Sequence, residues 1–135
     1  MAVVARQNPN FARAECFSTD GVGAMVYIRS GAVGGVIQVE TADPNDYSKM
    51  PAVGMLIHKF SATECLVQYR GSVSGVYAGL TPGALMFVSD GGGIDEEPPD
   101  PTVGDPEKFV QAVGIVIGAT IFNLDPDLSI TRRRF

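Results

Sequence analysis

The chain has no tryptophan, one histidine and two cysteines among its 135 residues, and each shortage narrows what it can do. A sugar or receptor site favours exposed aromatic faces; Tyr47, Tyr69 and Tyr77 are available for one, but without Trp the signal is poor. A single histidine leaves little vocabulary for proton transfer. A nucleophile–base pair would have to join His58 to Cys65 or Cys16, yet no third orienting group, oxyanion loop or local signature accompanies them. His58 is therefore expected to be a half-buried strand histidine and Cys65 a buried structural thiol. No catalytic residue is assigned, and the protein is not expected to be an enzyme.

Two cysteines are also too few to form a disulfide framework. A chain this long buries roughly two-thirds of its unfolded surface and does not need staples, so free thiols in a reducing compartment are expected, with one disulfide as the alternative. Basic residues are outnumbered, giving a net charge of −5; a broad phosphate-neutralising face, and with it a nucleic-acid partner, is not expected. No apolar run approaches the ~20 residues of a membrane span. The opening "MAVVARQ" breaks off too early for a signal peptide. A soluble protein made in a cytoplasm, with no membrane partner, is the expectation.

Ligand-binding loops are equally thin. Asp43, Asn45 and Asp46 in "DPNDY", and Asp125 and Asp127 in "DPD", offer oxygen ligands without the spacing of a calcium loop. Beside proline they read as turns. Gly91 to Gly93 could cradle a phosphate only with a following Lys or helix N-terminus; Ile94, Asp95, Glu96 and Glu97 follow instead. A flexible hairpin turn is expected, with no cofactor and no metal.

Glycine and proline, by contrast, are plentiful, at 16 and 9 residues. Both disfavour helix interiors and suit short strands joined by tight turns. The chain also repeats itself. Shifted by 60 positions, "GAMVYIRSG" from Gly23 falls on "GALMFVSDG" from Gly83, and "AVGMLI" from Ala52 falls on "AVGIVI" from Ala112. Each half reads as a Gly-containing turn, a strand, a Gly-rich turn, a Pro- and Asp-rich loop, and a second strand opened by Ala-Val-Gly. Gly54 and Gly114 share a register just inside that second strand, where an isolated Gly marks a bulge or a close backbone approach. Three readings stay open: the halves meet there around a pseudo-twofold axis, each strand bends there, or the bulges are independent.

Between the halves, Thr63 to Arg70 alternates, with Cys65, Val67 and Tyr69 on one face. The best helical window, "PEKFVQAVGIVI", carries Gly114 and a β-branched run and reads as strand. The fold is therefore expected to be all-β, a compact barrel or sandwich of short strands built from two pseudo-repeated halves. Residues 1–20 are expected as an N-terminal arm, or a frayed end, and residues 21–122 as the β domain, with halves 21–63 and 79–122. Residues 123–135 are expected as a C-terminal tail. The tail ends in Arg132, Arg133, Arg134 and Phe135, a cationic run with an apolar anchor. It could be solvated, or could contact acidic Asp95, Glu96 and Glu97 of an adjacent copy. Together with Phe11 in the arm, these are the candidate partner-interface residues.

The pattern "LTPGALMFVSDGGGI", then "PPDPTVG", then "FVQAVGIVIGATIF" resembles a module of tailed-bacteriophage structural proteins. It covers Gly79 to Phe122 and extends weakly, through the repeat, to Gly21 to Thr63. The resemblance implies a small capsid decoration (cement) protein on the virion surface, assembled in the host bacterial cytoplasm. Its implied partners are the major capsid protein and copies of itself, as a trimer or other closed oligomer. It equally implies a tail or head-fibre base domain as the alternative, beside a receptor- or carbohydrate-binding module.

Overall fold

The computed structural model describes residues 10–102 and 107–134. Strand makes up 50% of it and helix 2%, so the protein is all-β. The helical share is one 3₁₀ turn, Tyr47–Lys49, capped by the Asp46 carboxylate, which accepts from the Ser48 amide and hydroxyl.

The strands fall into two modules and a ribbon. In the first module, β1 (Phe11–Glu15), β2 (Met25–Val33), β3 (Val36–Thr41), β4 (Gly54–Lys59) and β5 (Glu64–Gln68) close a barrel in the order β1-β3-β2-β4-β5. In the second, β6 (Gly71–Ser74), β7 (Leu85–Val88), β8 (Ile94–Asp95), β10 (Ala112–Gly118) and β11 (Ile121–Leu124) form a sheet ordered β6-β11-β10-β7-β8. Between β8 and β10 the chain lays down β9 (Glu107–Val110), which pairs with β12 (Thr131–Arg134) near the C-terminus.

The second order, taken from β8 backwards, is the first order read round the closed ring from β3 (β3-β2-β4-β5-β1), strand for strand. Register agrees as well: Met25 faces Met55 and Val26 faces Gly54, while Leu85 faces Ile115 and Met86 faces Gly114. The bulge between Leu56 and His58 recurs between Val116 and Gly118. Even the entry turns correspond. The Gly23 amide donates to Leu56 O at 2.8 Å, and the Gly83 amide to Val116 O at 2.9 Å. Both glycines are left-handed, with φ of 94° and 87°, a conformation that a side chain would strain. The sequence repeat is thus a structural repeat.

It is longer than its sequence signal. The first module reaches back to residue 11, so residues 11–15 are no arm. They form β1, antiparallel to β5 and parallel to β3, because Ala14 and neighbouring Cys16 supply buried side chains that a small barrel needs. The span from Glu64, expected between the halves, is β5, and its Cys65 and Val67 fill the first barrel as the alternation required. The tail also folds back, as β12 against β9. Residues 1–9 of the expected arm, and Phe135, lie outside the described residues.

Gly54 and Gly114 mark close approaches within their own modules. A Cβ on Gly54 would sit 2.6 Å from the Gln68 carbonyl of β5, and one on Gly114 would overlap the Asn123 carbonyl of β11. The pseudo-twofold reading fails on burial. A twofold contact buries the same residues in both copies, whereas Met25 and Met55 are wholly buried and their counterparts Leu85 and Ile115 are exposed. The modules stack head to tail.

Two clusters make up the core. Ala14, Cys16, Val26, Val39, Leu56, Cys65 and Val67 fill the first barrel. The second cluster joins the interior of the second module (Met86, Ile94, Val116, Phe122) to Met25, Ala42, Met50, Ala52 and Met55 from the first. The module interface and the second module's interior are therefore one continuous apolar body.

Candidate functional site: the outward faces of the two modules

A surface that works by adhesion is built from side chains that alternate out of a strand and find no cover in their own chain. The covered version of such a surface lies inside the molecule. Met25 on β2 and Met55 on β4 point out of the first barrel, as cross-strand partners, into the second module. Polar pairs frame them. The Met25 amide donates to Gly92 O at 2.6 Å, and the Tyr77 hydroxyl donates to Gly23 O at 2.6 Å. The Gln111 side-chain amide both accepts from Ala52 N and donates to Ala52 O, each at 2.7 Å, so a side chain completes a strand-like pair across the interface. Lys108 is buried and binds Asn45 of the first module together with Asp90 of the second, at 3.2 Å. Burying that ammonium is tolerable only because both partners are in place.

The expected hairpin turn at Gly91 to Gly93 turns out to be part of this frame. Gly92 packs against Thr41 so closely that a Cβ would overlap it, which the turn's composition alone could not reveal.

The expected partner residues lie elsewhere. Arg132, Arg133 and Arg134 line the exposed strand β12. Arg132 pairs with Glu107 at 2.6 Å and lies over the Phe109 ring, and Arg134 reaches Glu107 at 3.9 Å. Arg133 donates to Pro99 O at 3.2 Å, just beyond the acidic run. The cations are thus engaged within their own chain. Asp95 ends β8 and accepts from the Glu97 amide, Glu96 accepts from the Thr81 amide, and Glu97 is exposed. Phe11 is half-buried on β1 opposite Gln68.

His58 and the thiols part company. His58 is exposed rather than half-buried, its ring edge-on to Phe60 at 4.8 Å, because the bulge after Leu56 shifts its register outward. Cys16 and Cys65 are free and buried in the barrel. Burial, and then the neighbouring Cys16 thiol, push the Cys65 thiol up to about 12, which leaves it un-ionised and a poor nucleophile at neutral pH. The Asp43 carboxylate accepts from the Asn45 amide and side chain, and the Asp127 carboxylate from the Ser129 amide, as turns do.

Compared with family models, curated proteins and solved structures, the chain matches none. Its own duplication is then the best guide to which surfaces matter. Shifting the covered pair Met25 and Met55 by one repeat gives Leu85 and Ile115, 54% and 43% exposed, with Ile117 beside them at 57%. Shifting Tyr77, which bonds Gly23 O of the first module, and Val88, in the cluster the two modules share, back by one repeat gives Phe17 and Ile28, 42% and 48% exposed. None of these residues stood out in sequence, where an apolar residue in a strand reads as core. The repeat was the signal that could have found them, once one copy's burial was known.

Proposed function

We propose that the protein is a non-enzymatic structural protein of a tailed-phage virion. In this reading it binds the outside of the capsid and stabilises it by bridging neighbouring major capsid subunits. One observation carries the reading: a small chain divides itself between two copies of one strand arrangement and still leaves large apolar residues of both copies exposed. Soluble monomers rarely expose such faces without a partner for them. The sequence resemblance of Gly79 to Phe122 to phage structural modules supplies the identity of that partner. Cementing is then thermodynamic: each bound copy adds interface that must be lost before the shell opens, and many copies on one shell act together.

The test adds purified protein to preformed shells that lack it. Saturable binding at a fixed copy number, with a raised shell-disruption temperature, is the expected result. Unchanged shells, or electron microscopy placing the protein at a tail tip, would overturn it; the tail location would establish the fibre-base alternative.

A further inference from the structure

The chain contains one interface and, separately, exposes both halves of it. Inside the molecule, the β2–β4 face of the first module (Met25, Met55 and half-buried Ile57) shares one apolar cluster with Tyr77, Val88 and Val113 of the second module, and Tyr77 bonds Gly23 O. The same β-face on the second module, Leu85, Ile115 and Ile117, is exposed. The corresponding residues of the first module are exposed Ile28, half-buried Val53 and Phe17, which is 42% exposed and carries the Arg29 guanidinium 4.4 Å from its ring centroid. The apolar bodies are kept across the repeat, although Phe17 lacks the hydroxyl by which Tyr77 bonds Gly23 O. Glycine packing repeats the contrast: a Cβ on Gly23 would meet Val76 at 3.2 Å, while one on Gly83 would meet nothing within 4 Å.

We propose that the occupant of both faces is a second copy of this chain, joined head to tail. The Leu85–Ile115–Ile117 face of one copy docks on the Phe17–Ile28 surface of the next, repeating between chains the step that joins the modules within one. Such a contact is heterologous, so its repetition closes into a ring or runs on as a filament. It is weaker than the internal joint, because Pro51 stands where Gln111 supplies the clamp on Ala52. Assembly therefore depends on concentration. The proposal rests on the duplication and on the exposure of these two faces. Self-association uses them and leaves exposed Val33, Phe60 and Leu128 for a shell, so its failure would leave the shell-binding reading standing.

Sedimentation velocity over rising protein concentration tests it, with two variants: Ile115→Glu on one face and Ile28→Glu on the other. Wild type is expected to form species larger than a monomer. Each variant alone should lose about tenfold or more in association constant, since a buried unpaired carboxylate costs well over the ~1.4 kcal/mol that a decade represents. Mixed together, the variants should form a one-to-one dimer and nothing larger, because each retains the face that the other lacks. Wild type that stays monomeric at hundreds of micromolar overturns the proposal. So do variants that associate like wild type, or a mixture that fails to pair. Circular dichroism melts confirm that each variant is folded; should Ile115→Glu unfold, the more exposed Leu85→Lys takes its place with the same expectations.

Discussion

The two modules share strand order, register, bulge and entry turn, yet one is a closed barrel and the other an open sheet. In the first, β1 bridges β5 and β3, the latter through a short parallel pair, and the ring closes by backbone hydrogen bonds. In the second, β8 is only two residues long, pairs with β7, and leaves β6 without a partner on that side. The first has a small core of Ala, Val, Leu and two thiols. The second has the larger Met86, Ile94 and Phe122, and shares its apolar body with the outer face of its neighbour. A barrel can thus be finished by its own ladder or by docking. The docked module depends on its neighbour for stability; the closed one depends less.

The glycine at the shared register offers the sharpest way to break the comparison. Gly114→Ala forces a methyl into the Asn123 carbonyl, and Gly54→Ala presses one against the Gln68 carbonyl and the Val67 side chain. Both clashes are with backbone, which cannot rotate away, so each should cost more than about 3 kcal/mol. Gly114→Ala should be the worse of the two. Urea titration followed by circular dichroism measures both, and a loss under 1 kcal/mol at either position would mean that the strands can spread without penalty.

A second pair of substitutions isolates docking from module identity. Met25→Ala and Leu85→Ala remove side chains from the same place in the two copies. The first should cost about 2–5 kcal/mol, as a fully buried truncation does. The second should cost about 0.5 kcal/mol or less in dilute solution, as surface changes do. Equal losses would show that the exposed face is covered in the free monomer.

Much of this architecture was written plainly in the chain. The Gly/Ala-Val-Gly punctuation gave the duplication, since a turn with positive φ and a strand with no room for a Cβ both demand glycine at fixed places. The alternation from Cys65 to Tyr69 gave the inner face of β5. The missing pieces share a physical cause. "FARAE" and "TRRR" carry no apolar alternation, because β1 contributes little more than Ala14 to the core and β12 is exposed throughout. Lys108 carried no signal of its own within "PEKFVQAVGIVI", and only three-dimensional placement puts Asn45 and Asp90 around it. The exposed apolar faces were hidden for a related reason: Met25 and Leu85 are the same kind of residue in the same pattern, and burial separates them only after the modules stack.

The thiols sharpen the comparison most gently, because only the first module has them. Cys65 occupies a place that Thr120, an exposed turn residue, holds in the second module. With its folded pKa raised to about 12 from an ordinary 9.0, the thiol stays protonated in the native barrel while the unfolded chain ionises. Its stabilising contribution is whole below pH 9 and is lost as pH climbs from 9 towards 12. Near pH 10 the loss should be about 1–1.5 kcal/mol, roughly one decade of ionisation in the unfolded state. Tyr27, also raised to about 12 from 10.0 by burial and by its bond to Glu40, contributes with the same sign only above pH 10. Stability measured from pH 8 to pH 10 should therefore fall less steeply in Cys65→Ala than in wild type, whatever the offset caused by the smaller side chain. Identical slopes would mean that the first barrel opens enough to solvate Cys65, and that closure by its own ladder protects the module less than docking protects its neighbour.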